Sequence, residues 1–168
     1  TLLTGLGAQV AVPLPPYGVP QTLQTLVVAL AAMGLGARWG MASMALYMVV
    51  GWLGAGVFAG GEAGIAAVLG QTGGYLLGFI AAQPVISGLI RRRDGTVRGW
   101  GALVAAMLAG HAVIFGLGVP WLAVVRGVPF LDAVYGGCVI FLPGMVVKTA
   151  AAVLIGLAAW PSVVRRFW

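Results

Sequence analysis

Charge is scarce in this chain. Only 7% of its 168 residues are Asp, Glu, Lys or Arg, three of them acidic and nine basic, where a soluble domain carries roughly 25%. Cysteine occurs once, at Cys138, which excludes an internal disulfide and a cysteine-based metal cluster; it reads as a small packing residue. Histidine also occurs once. With His111 alone in an apolar run and Glu62 and Asp132 at the ends of such runs, no His/carboxylate cluster suggests a metal and no Ser/His/Asp set suggests a hydrolase. Residues 70–78 are glycine-rich but lack a Walker lysine, so they are not a nucleotide loop. An enzyme reading has little to stand on, and no cofactor is expected.

What the chain does have is apolar length. Hydrophobic residues make up 61% of it and the mean hydropathy is +1.07, so a soluble fold of this size could not cover its surface. Breaks at 13–20, 36–40, 60–70, 91–99 and 120–132 leave apolar blocks near 1–12, 21–35, 41–58, 72–90, 100–118 and 134–160. A helix crossing the ~30 Å hydrocarbon core needs about 20 apolar residues. Backbone groups in lipid must be satisfied within the chain, which permits helices or closed barrels; these runs are continuous in Leu, Ala, Val and Gly rather than alternating, so helices are the reading. The expected fold is an all-α integral membrane protein of six transmembrane helices, one transmembrane domain over residues 1–168. The sequence opens at Thr1 inside an apolar run, so the first helix is expected to be N-terminally truncated. The second block is short for a full span, and 61–65 reads as a re-entrant or interfacial segment. The 28 glycines fit close-packed membrane helices.

A net charge of +6 would suggest nucleic acid in a soluble protein, but the placement of the charges gives a better account. Lys and Arg favour cytoplasmic loops. With six spans and both termini cytoplasmic, Arg38, Arg91, Arg92, Arg93, Arg98, Arg165 and Arg166 fall on one side, seven of the nine basic residues. Arg126 lies opposite, with Glu62 and Asp132, and Lys148 falls inside the last span. The run 91–93 is a topology signal or a docking point for lipid headgroups or an acidic partner. Trp39, Trp100, Trp121, Trp160 and Trp168 stand near span ends, as interfacial aromatics do.

An ionisable group inside a span is costly enough to be a functional hypothesis. Lys148 is the strongest such group: its Cα should lie roughly 15 Å from an interface, beyond easy snorkelling. It should face a polar cavity or an anionic ligand, unless it bonds helix carbonyls or lies nearer a surface. Pro143-Gly144, one turn earlier, would loosen that helix and free carbonyls. Gly70, Gly74 and Gly78 form a smooth face for helix contact, and Gln71 and Thr72 cap the helix start or present donors to a ligand. In Gly18-Val19-Pro20-Gln21-Thr22-Leu23-Gln24-Thr25 a proline-stiffened loop enters the second span; Gln21 and Thr22 cap it, while Gln24 is placed to bond a neutral polar ligand. His111 reads as a packing histidine, with a ligand contact or proton relay as the alternative.

Three segments together carry a family resemblance: Val19-Pro20-Gln21-Thr22-Leu23-Gln24-Thr25-Leu26; Val57-Phe58-Ala59-Gly60-Gly61 with Thr72-Gly73-Gly74-Tyr75-Leu76-Leu77-Gly78-Phe79; and Phe141-Leu142-Pro143-Gly144 with Lys148. In this order and at these separations the chain resembles the BioY family, the biotin-specific membrane subunits of energy-coupling-factor transporters. The resemblance implies a multi-pass subunit of a bacterial or archaeal cell membrane that captures biotin from the outer face. Its pocket closes with the loop between the first two helices and the loop between the third and fourth. It implies as partners a transmembrane coupling subunit and two ATPases, although some members occur without the dedicated subunits. Small residues of the first helix form the usual coupling surface, where Gly7 and Ala11 fit the spacing.

In the pocket so implied, Lys148 bonds or ion-pairs with the ligand, Gln24, Gln71 and Thr72 serve its polar groups, and Tyr75 and Trp52 supply apolar walls. One departure matters. The family commonly has an acidic residue directly after Pro-Gly, and here that position is Met145, which removes an acceptor for ureido N–H groups. Gln71 stands where a proline is usual. A capture subunit for another vitamin or biotin-like ligand, and an assembly protein in which Lys148 pairs with Asp132 or a helix carbonyl, are the alternatives.

Overall fold

The computed structural model describes residues 1–17, 19–90 and 98–163; the expectations for Gly18, Arg91, Arg92, Arg93, Arg165, Arg166 and Trp168 lie outside the described residues. Helices dominate: α1 (Leu2–Gln9), α2 (Gln24–Trp52), the short α3 (Gly64–Leu69), α4 (Gly73–Ile90), α5 (Trp100–Arg126), α6 (Phe130–Gly137) and α7 (Leu142–Val163). Among the described residues four stretches are long and apolar enough to cross a membrane: Gln24–Trp52, Gly73–Ile90, Trp100–Arg126 and Phe130–Ala158.

The first departure from the sequence reading lies at its start. Residues 1–12 form one mostly apolar run, yet the helix ends at Gln9, and Ala11–Pro13 pairs antiparallel with Pro20–Thr22 as a two-stranded ribbon of β1 and β2. Hydropathy cannot see this. Prolines at 13, 15 and 16 disfavour the α region just before them and cannot donate to a helix.

The second lies inside α2, where Gly36 adopts φ 75° and ψ −176°, a conformation that costs glycine little and other residues much. Here the helix turns back on itself. On a straight helix residues 24 and 47 would lie about 34 Å apart, yet the Gln24 amide donates to the Tyr47 hydroxyl across 2.8 Å. The expected break at 36–40 is thus a one-residue reversal at its first position, and Arg38 follows directly after it.

The third concerns the ends of α5 and α7. Pro120, expected to end a span, lies within α5, which runs on to Arg126 and stops at Gly127 in the left-handed conformation, φ 62°, the usual helix stop. The last apolar block is broken at Cys138 (φ −136°, ψ −58°), followed by a 3-10 turn at Val139–Phe141 before α7 begins. Pro143 therefore sits in the first turn of α7, where a missing N–H costs nothing, rather than loosening a continuous helix. The segment around 61–65 contains the start of α3, which buries no residue fully.

α4 is the central helix, packed on α2 to one side and α5 to the other. Lipid is as apolar as leucine, so close fit and hydrogen bonds hold such helices together. Both are present. The Gln83 amide donates to Val28 O and Phe79 O, each at 3.1 Å, and the Ser87 hydroxyl to Ala32 O at 2.9 Å, tying α4 to the first arm of α2. On the other side, a Cβ on Gly74 would strike Trp121 and Leu117 O, and one on Gly78 would lie 2.8 Å from Ile114 Cα. Gly70 does not share this face: its added Cβ would meet Ala66 O at 2.8 Å, within the preceding turn. Trp39 and Trp100 are exposed, whereas Trp121 packs against Gly73 and Gly74 and donates to Gly70 O at 2.8 Å.

Candidate functional site

A cavity of about 70 Å³ lies where β2, the start of α2, α4, α5 and α7 converge under the loop that carries Phe58 and Glu62. The helical period explains which side chains reach it. α4 and the turn before it contribute Thr72, Tyr75, Leu76 and Phe79, α5 contributes His111, Ile114 and Phe115, and α7 contributes Met145 and Lys148. In each set the steps of three and four place the side chains on one helix face. The walls are mainly apolar and aromatic, with a few polar groups, as in small-molecule pockets generally.

Lys148 is 7% exposed, and its ammonium donates to Thr22 O in β2 at 3.1 Å. The partner is thus a carbonyl of the ribbon, neither a helix carbonyl nor Asp132, which is exposed in the first turn of α6. An ammonium has three N–H donors, and this one faces a cavity whose other charged lining residue is Glu62, exposed at the mouth.

Gln24 also lines the cavity. Its amide nitrogen donates to Tyr47 Oη at 2.8 Å, its carbonyl oxygen accepts from the Thr22 hydroxyl at 2.9 Å, and Tyr47 in turn donates to Val57 O at 2.9 Å. The residue therefore ties the ribbon, α2 and the loop after it together. Thr72 lines the cavity and donates to Ala67 O at 3.4 Å. Tyr75 supplies a wall, its hydroxyl anchored on Gly137 O at 2.8 Å. Met145 lies in the lining one helical turn from Lys148.

Other expected residues are elsewhere. Trp52 ends α2 with 52% of its surface exposed and lines no part of this cavity; the reversal at Gly36 and the end of α2 carry it away. The aromatic walls besides Tyr75 are Phe58, Phe79, Phe115 and Phe141. Gln71 lies in a neighbouring surface hollow, where its side-chain oxygen accepts from Arg126 Nε at 2.9 Å and also from Nη2. The same Nη2 donates to Tyr17 O at 2.7 Å, so Arg126 joins the loop between β1 and β2 to the segment before α4. Gly7 is buried against the start of α2, where an added Cβ would come within 3.2 Å of Val27 and 3.4 Å of Gln24 N. Ala11 belongs to β1 and not to a helix. The two therefore do not form an outward helical stripe; the exposed face of α1 presents Leu2, Leu3 and Leu6.

The sequence reading gave His111 a packing role. It lines the cavity, is 3% exposed, and holds Met107 O at 2.8 Å from Nδ1, while Nε2 has no hydrogen-bond partner. Thr25 Oγ1, also in the lining, has none either. A buried polar atom left unpaired costs about 1–3 kcal/mol; of the four such side-chain atoms among the described residues, these two line the cavity, while Gln83 Oε1 and Thr149 Oγ1 do not. The rule that singled out Lys148 applied equally to a histidine in a span.

The family model described as the BioY family matches residues 1–165. A probable biotin transporter BioY of Pyrococcus horikoshii is 42% identical over 153 residues, covering 91% of this chain and 86% of its own. The biotin transporter BioY of Rhizobium etli is 34% identical over 170 residues, covering 94% and 90%. The crystal structure of an S-component for biotin from an ECF-type ABC transporter superposes with a TM-score of 0.83 at 25% identity, over 92% of this chain and 82% of that one. With the family match spanning nearly its whole length and its cavity built from the motif residues around Lys148, this chain belongs to the BioY family.

Proposed function

We propose that this protein takes up biotin, serving as the membrane-embedded capture subunit of an energy-coupling-factor transporter. The observation that carries the reading is Lys148, a buried ammonium with one carbonyl partner in a mainly apolar cavity. Such a site suits a small ligand with a carboxylate or urea oxygen on an apolar body. The names of its relatives point to the same ligand. The chain has no nucleotide loop, so energy comes from partners, a coupling subunit with its ATPases.

In this reading six helices are embedded in the membrane, α1, the two arms of α2, α4, α5 and α7, with both termini cytoplasmic. The reversal at Gly36 next to Arg38 supports a cytoplasmic hairpin under the preference of Arg for that side. The cavity mouth, with Glu62 and Arg126 nearby, then opens outward. Within the cavity Lys148 meets an oxygen of the ligand, Thr72 and Gln24 border its polar part, and Tyr75 and Met145 its apolar part. Gln71 acts from outside, through Arg126.

Lys148→Ala should weaken biotin binding by about tenfold or more in calorimetry on detergent-purified protein. Unchanged affinity would remove the lysine from the mechanism. Native mass spectrometry of the purified protein identifies the captured molecule, and a different vitamin in that spectrum would replace biotin as the substrate.

A further inference from the structure

The hydrogen-bond state of His111 can be read from its surroundings. Nδ1 lies 2.8 Å from Met107 O, and a carbonyl only accepts, so Nδ1 carries a proton. In the neutral ring Nε2 is then an acceptor, and it is the nitrogen without a partner. The ring is held in place: it is 3% exposed, and Phe115 lies against it with ring centroids 6.1 Å apart.

Most other polar side chains of the cavity already hold a partner within the protein. Lys148 can only donate. Gln24 Oε1 accepts from Thr22, the Thr72 and Tyr75 hydroxyls are oriented by donating to backbone carbonyls, and the Glu62 carboxylate lies exposed at the mouth. Met145 offers a thioether, a weak acceptor. Among the buried lining side chains, the unpaired atoms are His111 Nε2 and Thr25 Oγ1. A cyclic urea brings one oxygen that accepts and two N–H groups that donate. Lys148 matches the oxygen; the N–H groups need what His111 and Thr25 have.

We infer that His111 contacts the ligand and determines specificity, its Nε2 accepting a hydrogen bond from a ureido N–H, with Thr25 Oγ1 as the second polar contact. The inference rests on the biotin reading and adds to it the acceptor that Met145 does not provide.

The test is calorimetry on the full-length detergent-purified chain with biotin and with biotin methylated on a ureido nitrogen, using His111→Leu and His111→Gln beside the unsubstituted protein. Leucine fills similar space without an acceptor, and glutamine restores one. The unsubstituted protein should prefer biotin over the methylated compound by about tenfold or more. His111→Leu should bind biotin about 10- to 100-fold more weakly and lose most of that preference, while His111→Gln should recover both. Ligand-free melting temperatures report whether the variants fold, and the glutamine variant and the methylated ligand each test the contact independently. Unchanged affinity and preference in His111→Leu overturns the assignment, as does a glutamine variant as weak as the leucine one. If either occurs while Lys148→Ala still weakens binding, the biotin reading survives and the histidine contact alone falls. Absence of biotin binding by the unsubstituted protein overturns both.

Discussion

Gln24 and Tyr47 lie 23 positions apart on what is nominally one helix, and their side chains are joined by a 2.8 Å hydrogen bond. The bond closes the hairpin whose reversal is Gly36. Tyr47 is 1% exposed, its ring stands edge-on to Phe58 with centroids 5.4 Å apart, and its hydroxyl donates onward to Val57 O. One tyrosine thus holds together the start of α2, its second arm and the loop that roofs the cavity.

Tyr47→Phe keeps the ring and removes the hydroxyl. The Gln24 amide and the Val57 carbonyl each lose their partner, so the variant should be destabilised by about 1–3 kcal/mol. Biotin affinity should fall with it, because Gln24 and Phe58 both line the cavity. Thermal unfolding in detergent and calorimetry on the same preparation check the two effects; a stable variant with lowered affinity would assign the hydroxyl to the site alone.

Glycines of α4 and α5 should respond in opposite ways. Gly78→Ala drives a Cβ to 2.8 Å from Ile114 Cα, and backbone cannot swing aside, so α4 and α5 must separate at a cost of about 1–3 kcal/mol. Gly88 in α4 and Gly116 in α5 have open space where a Cβ would stand. Alanine there should be neutral or stabilise by about 0.5–1 kcal/mol. Comparing melting temperatures of the three variants decides the matter, and an equal loss at all three would refute the packing argument.

Arg126 is exposed, yet it joins Tyr17 O and Gln71 across the rim of the cavity. Arg126→Ala should leave stability within about 0.5 kcal/mol, since the residue contributes nothing to the core. Release of the two segments should quicken biotin dissociation by about fivefold, the equivalent of about 1 kcal/mol in hydrogen bonding. Stopped-flow or filter-based off-rates measure this. A slower or unchanged off-rate would mean that the rim does not govern exit.

Much of the candidate site was legible because intramembrane polarity is conspicuous. Lys148 stood out as a cation that topology does not explain, and Gln24, Thr72, Tyr75 and Met145 stood near it through the family resemblance; all five line one cavity. Trp52 and Gln71 lie outside that lining because linear proximity to a motif says nothing about direction: one is exposed at the C-terminal end of α2, and the other turns toward Arg126. Gly7 was expected on an outer face and lies on an inner one, since a small residue permits close approach on whichever side a neighbour arrives. His111 was set aside because a histidine can satisfy itself on its own helix; it does so with one nitrogen only.

The sequence by itself determined that this chain lives in lipid as packed helices, which way its charges bias it, and which family it resembles, because hydropathy, charge and motif order are properties of composition and spacing. Tertiary structure decided the rest. It turned α2 back at Gly36, converted the end of the first apolar run into a ribbon, carried α5 through Pro120 and broke the last block at Cys138. These outcomes depend on single backbone dihedrals and on which neighbour offers a partner to each freed N–H and carbonyl. The same dependence left Nε2 of His111 unpaired in the lining of Lys148's cavity, which no spacing rule in the sequence encodes.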